Sequence, residues 1–213
     1  DKNRMVVISG PNAGGKSIVL KSIGLIQLMF QFGMLIPAKE NSVLSVFDHL
    51  FVDIGDEQSI ENDLSTYSSH LSNMNYFLNK ATAKTLVLID EMGMGTDPAL
   101  GGPMAEAILE NLHKKNVFGI VTTHFNNLKV FAAQTENMQS GAMAFDTQKL
   151  QPLYQLQIGQ PGSSFTFEIA KKSGLSEHII KSATSKIGDN KKALDDVLTD
   201  IQTEKHFIKG LRK

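Results

Sequence analysis

Short apolar runs alternate along the chain with longer stretches in which apolar residues return every three or four positions. Met5–Ile8, Leu86–Ile89 and Val117–Val121 are unbroken runs, the pattern of buried strands in a parallel sheet covered on both faces. Residues 46–54 alternate loosely and read as another strand. Between the runs lie helical spacings. Residues 16–30 place Leu20, Ile23, Gly24, Gln27 and Leu28 on one side, before Gly33 and Pro37 break the chain. His70, Leu71, Met74, Phe77 and Leu78 form a core stripe on a helix running to about residue 79 and capped by Asp63 or Ser65. A third helix covers about 100–114. Strands alternating with helices of this length predict a parallel α/β sheet flanked by helices.

The second half reads differently. Residues 139–145 and 152–158 flank Asp146-Thr147-Gln148-Lys149 and predict a β-hairpin at a sheet edge. Gly159-Gln160-Pro161-Gly162 is a sharp loop. Two short helices follow, about 165–173 and 176–187, split by Gly174, with Ser176 as a cap. Residues 190–211 are polar with a thin apolar stripe, as at the base of a coiled coil or in a frayed end. The expected organisation is a main domain over 1–160, a small helical element over 161–188 and a charged helix or linker over 189–213.

Composition narrows this little. Of 213 residues, 41% are hydrophobic and 20% charged, with a net charge of −1. That balance gives no basis for strong autonomous binding to a phosphate backbone. Cysteine is absent, which excludes disulfides and thiolate metal sites. No apolar run approaches membrane-spanning length and no signal peptide is present, so a cytoplasmic protein is expected. The chain opens on Asp1 and closes on a charged stretch, which suggests a domain excised from a longer protein.

The candidate chemistry begins at Gly10-Pro11-Asn12-Ala13-Gly14-Gly15-Lys16-Ser17, between the first strand and the first helix. Glycines let the backbone curl until successive N–H groups point at phosphate oxygens, and the helix N-terminus adds partial positive charge. Lys16 can reach the β/γ-phosphates, and the Ser17 hydroxyl can ligate Mg²⁺. Asp90 and Glu91 follow a buried strand; Asp90 can hold Mg²⁺ through water, and Glu91 directly after it can polarise an attacking water. His124 also ends a strand and can hydrogen-bond the γ-phosphate or that water. Ser65 and Thr66 at a helix start offer either a second anion site or a simple cap.

Together these residues resemble the ABC-type branch of P-loop ATPases, and specifically the MutS family. The resemblance rests on Gly10–Ser17, Asp63-Leu64-Ser65-Thr66-Tyr67, Asp90-Glu91-Met92-Gly93-Met94-Gly95-Thr96 and Thr122-Thr123-His124-Phe125. Pro152-Leu153-Tyr154, Gly159–Phe165 and Glu168-Ile169-Ala170 add to it. It extends over about residues 4–187 and is strongest to the second bacterial MutS subfamily, whose members lack the mismatch-reading domain. The resemblance implies an Mg²⁺-dependent ATPase with an ABC-ATPase-like, mostly parallel sheet, an edge hairpin and a C-terminal helical dimerisation element. Asn12 through Ser17 would wrap the triphosphate of ATP, and Asp90 with Ser17 would organise Mg²⁺. Glu91 would be the catalytic base and His124 a γ-phosphate sensor. Ser65 and Thr66 would reach the ATP of the opposite subunit of a homodimer, and Gly95, Thr96 and Asp97 would line the dimer face. DNA would be contacted through segments outside this chain.

Some positions depart from the family pattern. Ala13 replaces a common Met, Ile18 a usual Thr, and Met94 stands where the mismatch-repair branch has Arg. Lys39-Glu40 supplies no glutamine for a sensing loop. Three other readings compete with this one. A transporter subunit would carry a Leu-Ser-Gly-Gly-Gln signature, which is absent, and Asn79-Lys80-Ala81-Thr82 lacks the Asp of a guanine site. A nucleotide-gated dimerisation module with little hydrolysis is the remaining alternative, against which Glu91 and His124 argue.

Overall fold

A computed structural model describes residues 3–11, 14–55, 63–146, 149, 151–160, 162, 163 and 165–186, without the side chains of 63–66. In chain order the elements are β1 (Met5–Ser9), α1 (Lys16–Gln31), β2 (His49–Asp53), α2 (Asp63–Lys80), β3 (Thr85–Ile89) and α3 (Pro98–Lys114). They continue with β4 (Phe118–Thr122), α4 (Asn126–Gln134), β5 (Met138–Asp146), β6 (Gln151–Ile158), α5 (Thr166–Lys172) and α6 (Glu177–Ser185). The strands form one mostly parallel sheet in the order β2-β3-β4-β1-β5-β6. The chain divides into two compact units, Asp1–Val7 with Lys16–Gln139, and Ile8–Gly15 with Ser140–Lys213.

In the first unit β2, β3 and β4 run parallel and in step, Asp53 opposite Ile89 and Ile89 opposite Val121. Every residue of β3 is buried, which fits its unbroken apolar run. Successive side chains of a strand face opposite ways. Leu86 and Leu88 accordingly join Leu20 of α1, with Ile23, Leu50 and Ile120 packed alongside. Val87 and Ile89 join Val7, Phe77, Leu109, Leu112, Val121 and Leu128 on the face of α2, α3 and α4. Fully burying one apolar side chain of this size contributes about 1.5–3 kcal/mol. Asp97 caps α3 by accepting from the Ala99 N–H at 2.7 Å, Pro98 occupies the first turn, and His113 and Lys114 sit at the negative end.

In the second unit β5 and β6 pair antiparallel, as the hairpin pattern predicts, with a register shift between Met143 and Phe145. Phe165 is fully buried and stacks on Phe145 at 4.9 Å between ring centroids. α5 and α6 meet at Gly174, which has a positive φ of 85°.

Local differences from the sequence pattern have physical causes. The strand expected over 46–54 is trimmed to His49–Asp53, where pairing with β3 ends. α3 starts at Pro98 because Asp97 caps it there. α4 carries no strong start signal in the sequence: Asn126-Asn127 opens it, and Phe125 at its N-cap makes no side-chain cap bond. Ser176 occupies the N-cap of α6, but its side chain makes no capping hydrogen bond. The charged segment 189–213 lies outside the described residues.

Candidate functional site

Because β2, β3 and β4 are parallel and in register, their carboxyl ends deliver Asp53, Asp90-Glu91 and Thr122-Thr123-His124 to one edge of the first unit. Open α/β sheets hold their ligands at this edge. The Asp90 N–H donates to the Asp53 carbonyl at 2.8 Å, and the Met92 N–H to the Thr122 carbonyl at 2.9 Å, so the chain beyond β3 stays locked between its neighbours. Thr122 connects the acidic pair: its hydroxyl donates to Asp90 Oδ1 at 2.5 Å and accepts from the Glu91 N–H at 2.7 Å. Glu91 itself has φ 49°, in the left-handed region that side chains avoid. Residues held there against cost concentrate at functional sites. The next turn is possible only because residue 93 is glycine. At φ 90° a Cβ would stand 2.7 Å from the Phe125 ring and 2.9 Å from the Ala105 Cβ.

The first residue of α1 enters the same edge. Lys16 is buried, and its Nζ lies 3.5 Å from His124 Nε2. The same imidazole nitrogen lies 3.3 Å from Glu91 Oε1. One nitrogen cannot donate and accept at once, so the tautomer decides whether His124 engages the ammonium or the carboxylate. Burial lowers the pKa of Lys16, with Glu91 and Asp90 opposing and Lys129 assisting. Burial and then the Lys16 charge lower the pKa of His124, against Glu91. His124 is therefore neutral at pH 7.

The glycine-rich loop preceding Lys16 belongs to the second unit. Gly10 and Gly15 have φ 132° and 88°, which suit glycine alone. The Gly14 N–H donates to the Pro11 carbonyl at 3.0 Å. A Cβ at Gly14 would stand 3.0 Å from the Met143 Cβ, and one at Gly15 would stand 3.1 Å from the Tyr154 ring. Ser9 anchors the base: its hydroxyl accepts from the Gly162 N–H at 2.6 Å and donates to the Gly141 carbonyl at 3.5 Å. Asn12 and Ala13 lie outside the described residues.

Of the expected site residues, the first unit brings together Lys16, Asp90, Glu91 and His124, and half-buried Ser17 follows Lys16 in α1. Ser65 and Thr66 fall in the first turn of α2, and their side chains lie outside the description. Close by, a Cβ at Gly95 would meet the Tyr67 Cβ at 3.3 Å, so the loop after Glu91 leans on the start of α2.

Three residues escaped the sequence reading. Asp53 is buried and accepts from Asn73 at 2.8 Å and from His70 at 2.7 Å. His70 therefore serves a buried carboxylate, whereas helical spacing had put it in the apolar stripe. A carboxylate in an apolar setting needs such donors. Thr122 has no sequence signal of its own beyond its place in Thr122-Thr123-His124. Lys129, buried on α4, sends its charge toward Lys16 and His124. Its position beside Leu128 and Ala132, both buried, was the available signal.

The fold and this edge define an α/β protein with a lysine, an acidic pair and a histidine gathered at the carboxyl ends of parallel strands. Residues 6–190 match the family model MutS domain V, and the chain belongs to the MutS family through that domain. It is 46% identical over 208 residues to Endonuclease MutS2 of Finegoldia magna, a match spanning 98% of this chain and 27% of that protein. It is likewise 46% identical over 198 residues to Endonuclease MutS2 of Clostridium acetobutylicum, over 93% of this chain and 25% of the relative. The chain thus spans about a quarter of the length of the curated relatives it matches. Among the described residues no helix is long and apolar enough to cross a membrane.

Proposed function

We propose that this chain is the ATP-binding and ATP-hydrolysing domain of a MutS-like protein acting in DNA repair or recombination. The observation that carries the reading is the chain of contacts from Lys16 through His124 to Glu91, beside the Asp90–Thr122 hydrogen bond. The donor set suits the magnesium complex of a nucleoside triphosphate. Mg²⁺ at such sites takes one or two protein oxygens and is otherwise held by phosphates and water. Ser17 and Asp90 would hold it, and its charge would neutralise the polyphosphate.

The protein's own groups divide the remaining work. As a P-loop, the glycine-rich turn would offer its N–H groups to the phosphates, and the Lys16 ammonium would offer its charge. Glu91, fixed by its N–H bond to Thr122, orients the attacking water and takes up its proton. Neutral His124 can donate to a γ-phosphate oxygen or to Glu91 and registers which is present. Phosphoryl transfer depends on positioning and charge neutralisation more than on covalent chemistry, and these groups provide both.

Ser65 and Thr66 would complete the site of an opposite subunit, giving a homodimer assembled on ATP. DNA would be contacted by parts of the protein beyond these residues. The nuclease activity in the relatives' name is assigned to no residue here. Calorimetry with Mg²⁺ and a non-hydrolysable ATP analogue tests the reading: heat and one-to-one saturation per chain are expected. No heat with the parent chain, or saturation undiminished in Lys16→Ala, would overturn it.

A further inference from the structure

Asp53, the last residue of β2, holds two neighbours at once. Its backbone carbonyl accepts the Asp90 N–H at 2.8 Å, where the chain leaves β3 toward Glu91. Its buried carboxylate accepts from His70 Nδ1 at 2.7 Å and from Asn73 Nδ2 at 2.8 Å. His70 and Asn73 stand three residues apart on α2 and so share one face of that helix. Near its start the same helix meets the far end of the turn after β3. A Cβ on Gly95 would stand 3.3 Å from the Tyr67 Cβ and 3.6 Å from the Tyr67 Cα. The contacts close a ring, from Asp90 to Asp53, through His70 into α2, and from Tyr67 back to Gly95. Glu91 belongs to the turn that this ring holds at both ends. Asp53, Tyr67, His70, Asp90 and Glu91 line one cavity.

Holding α2 on the sheet does not require a buried carboxylate. Met74 and Phe77 are buried, and Phe77 stacks on Phe51 of β2 at 5.0 Å between ring centroids. Apolar contact of this kind is non-directional and changes little when a helix slides or rotates slightly. Hydrogen bonds tolerate only a narrow range of distance and angle, so the two bonds to Asp53 fix the height and rotation of α2. A buried carboxylate is costly to desolvate, and apolar residues of similar volume often hold a fold as well or better. Position, more than stability, accounts for the carboxylate at residue 53. The geometry points to Asp53 as the positioning residue of this site, with His70 and Asn73 as its donors. It sets α2 and the turn from Asp90 to Gly95 in one fixed relation, an inference that rests on the ATPase reading for what the turn does. The same clamp fixes the height of the helix turn containing Ser65 and Thr66, five and four residues before His70.

Two measurements on the full-length protein test this. The first is hydrogen exchange without nucleotide. His70→Leu removes a donor, and the amides of residues 90–94 are expected to exchange about tenfold faster relative to those of β4. In His70→Asn the side-chain amide can donate in place of Nδ1, and protection is expected to return. The second is steady-state hydrolysis. His70→Leu should lower kcat about tenfold while the KM for ATP stays within about twofold, because the phosphate loop is untouched. His70→Asn should restore most of that kcat. Phe77→Leu, which weakens the apolar contact of the same helix, should lower stability in urea yet leave kcat per folded molecule near the parent value. Exchange indifferent to residue 70, or a kcat in His70→Leu within about twofold of the parent, overturns the inference. So does a loss of kcat in Phe77→Leu in the same proportion to stability. A parent that hydrolyses no ATP, with exchange still responsive to residue 70, sinks the ATPase reading and leaves Asp53 as the clamp of the turn.

Discussion

At the scale of single residues, the site is a short relay of hydrogen bonds. Thr122 fixes Asp90 by donating and Glu91 by accepting, and Glu91 sits in a backbone region it would leave if the turn allowed. Glu91→Gln keeps size and hydrogen bonding but removes the base. It is expected to retain ATP binding, to lose turnover and to trap a dimer, measured by single-turnover hydrolysis and by size in the presence of ATP. Hydrolysis within about twofold of the parent, roughly 0.4 kcal/mol of barrier, would remove Glu91 from that role. His124 allows a test by pH. Its native pKa is lowered from 6.5, first by burial and then by Lys16. As pH falls the unfolded chain takes up this proton first, so the contribution of His124 to stability is present above pH 6.5 and is lost below it. Denaturant midpoints without nucleotide should drop from neutral to mildly acid pH, and the drop should shrink in His124→Gln. An unchanged drop would count against a neutral native imidazole.

At the scale of elements, small residues let helices approach the turn that holds Glu91. Gly101 of α3 would place a Cβ 2.5 Å from the Gly93 carbonyl oxygen, a backbone atom with no freedom to step aside. Gly101→Ala is expected to cost about 1–3 kcal/mol in urea unfolding and to reduce hydrolysis, because the turn after Glu91 must move. Leu109, fully buried one helical face further on, provides a contrast. Leu109→Ala should cost about 2–5 kcal/mol, yet leave turnover per folded molecule near the parent value. If the two variants lost activity in the same proportion to stability, the local role of Gly101 would fail. Here the sequence was partly legible. Unbroken apolar runs marked β1, β3 and β4, and the hairpin pattern marked β5 and β6. α4 and the His70–Asp53 pair were not legible, because a weak cap and a long-range partner leave no periodic signal.

At the scale of the whole molecule, the proposed function concerns assembly. If Ser65 and Thr66 complete a neighbour's site, turnover per subunit must rise with protein concentration before levelling. A flat line across the nanomolar to micromolar range would argue for self-sufficient sites. With a net charge of −1, this chain alone should bind duplex DNA weakly at physiological salt, as read by fluorescence anisotropy. Tight binding would mean that charge is distributed on its surface in a way the total conceals.

By itself the sequence determined what depends on neighbours along the chain. Strand runs, helical spacing, the glycine-rich turn before Lys16 and the acidic pair after β3 are local patterns with local physical causes. Only the tertiary structure decided which strand ends lie side by side. Parallel register places Asp53, Asp90 and Thr122 at one edge, sets His124 between Lys16 and Glu91, and buries Lys129 near them. Pairing partners tens of residues apart is a matter of burying both faces of one sheet, and no window along the chain carries that information.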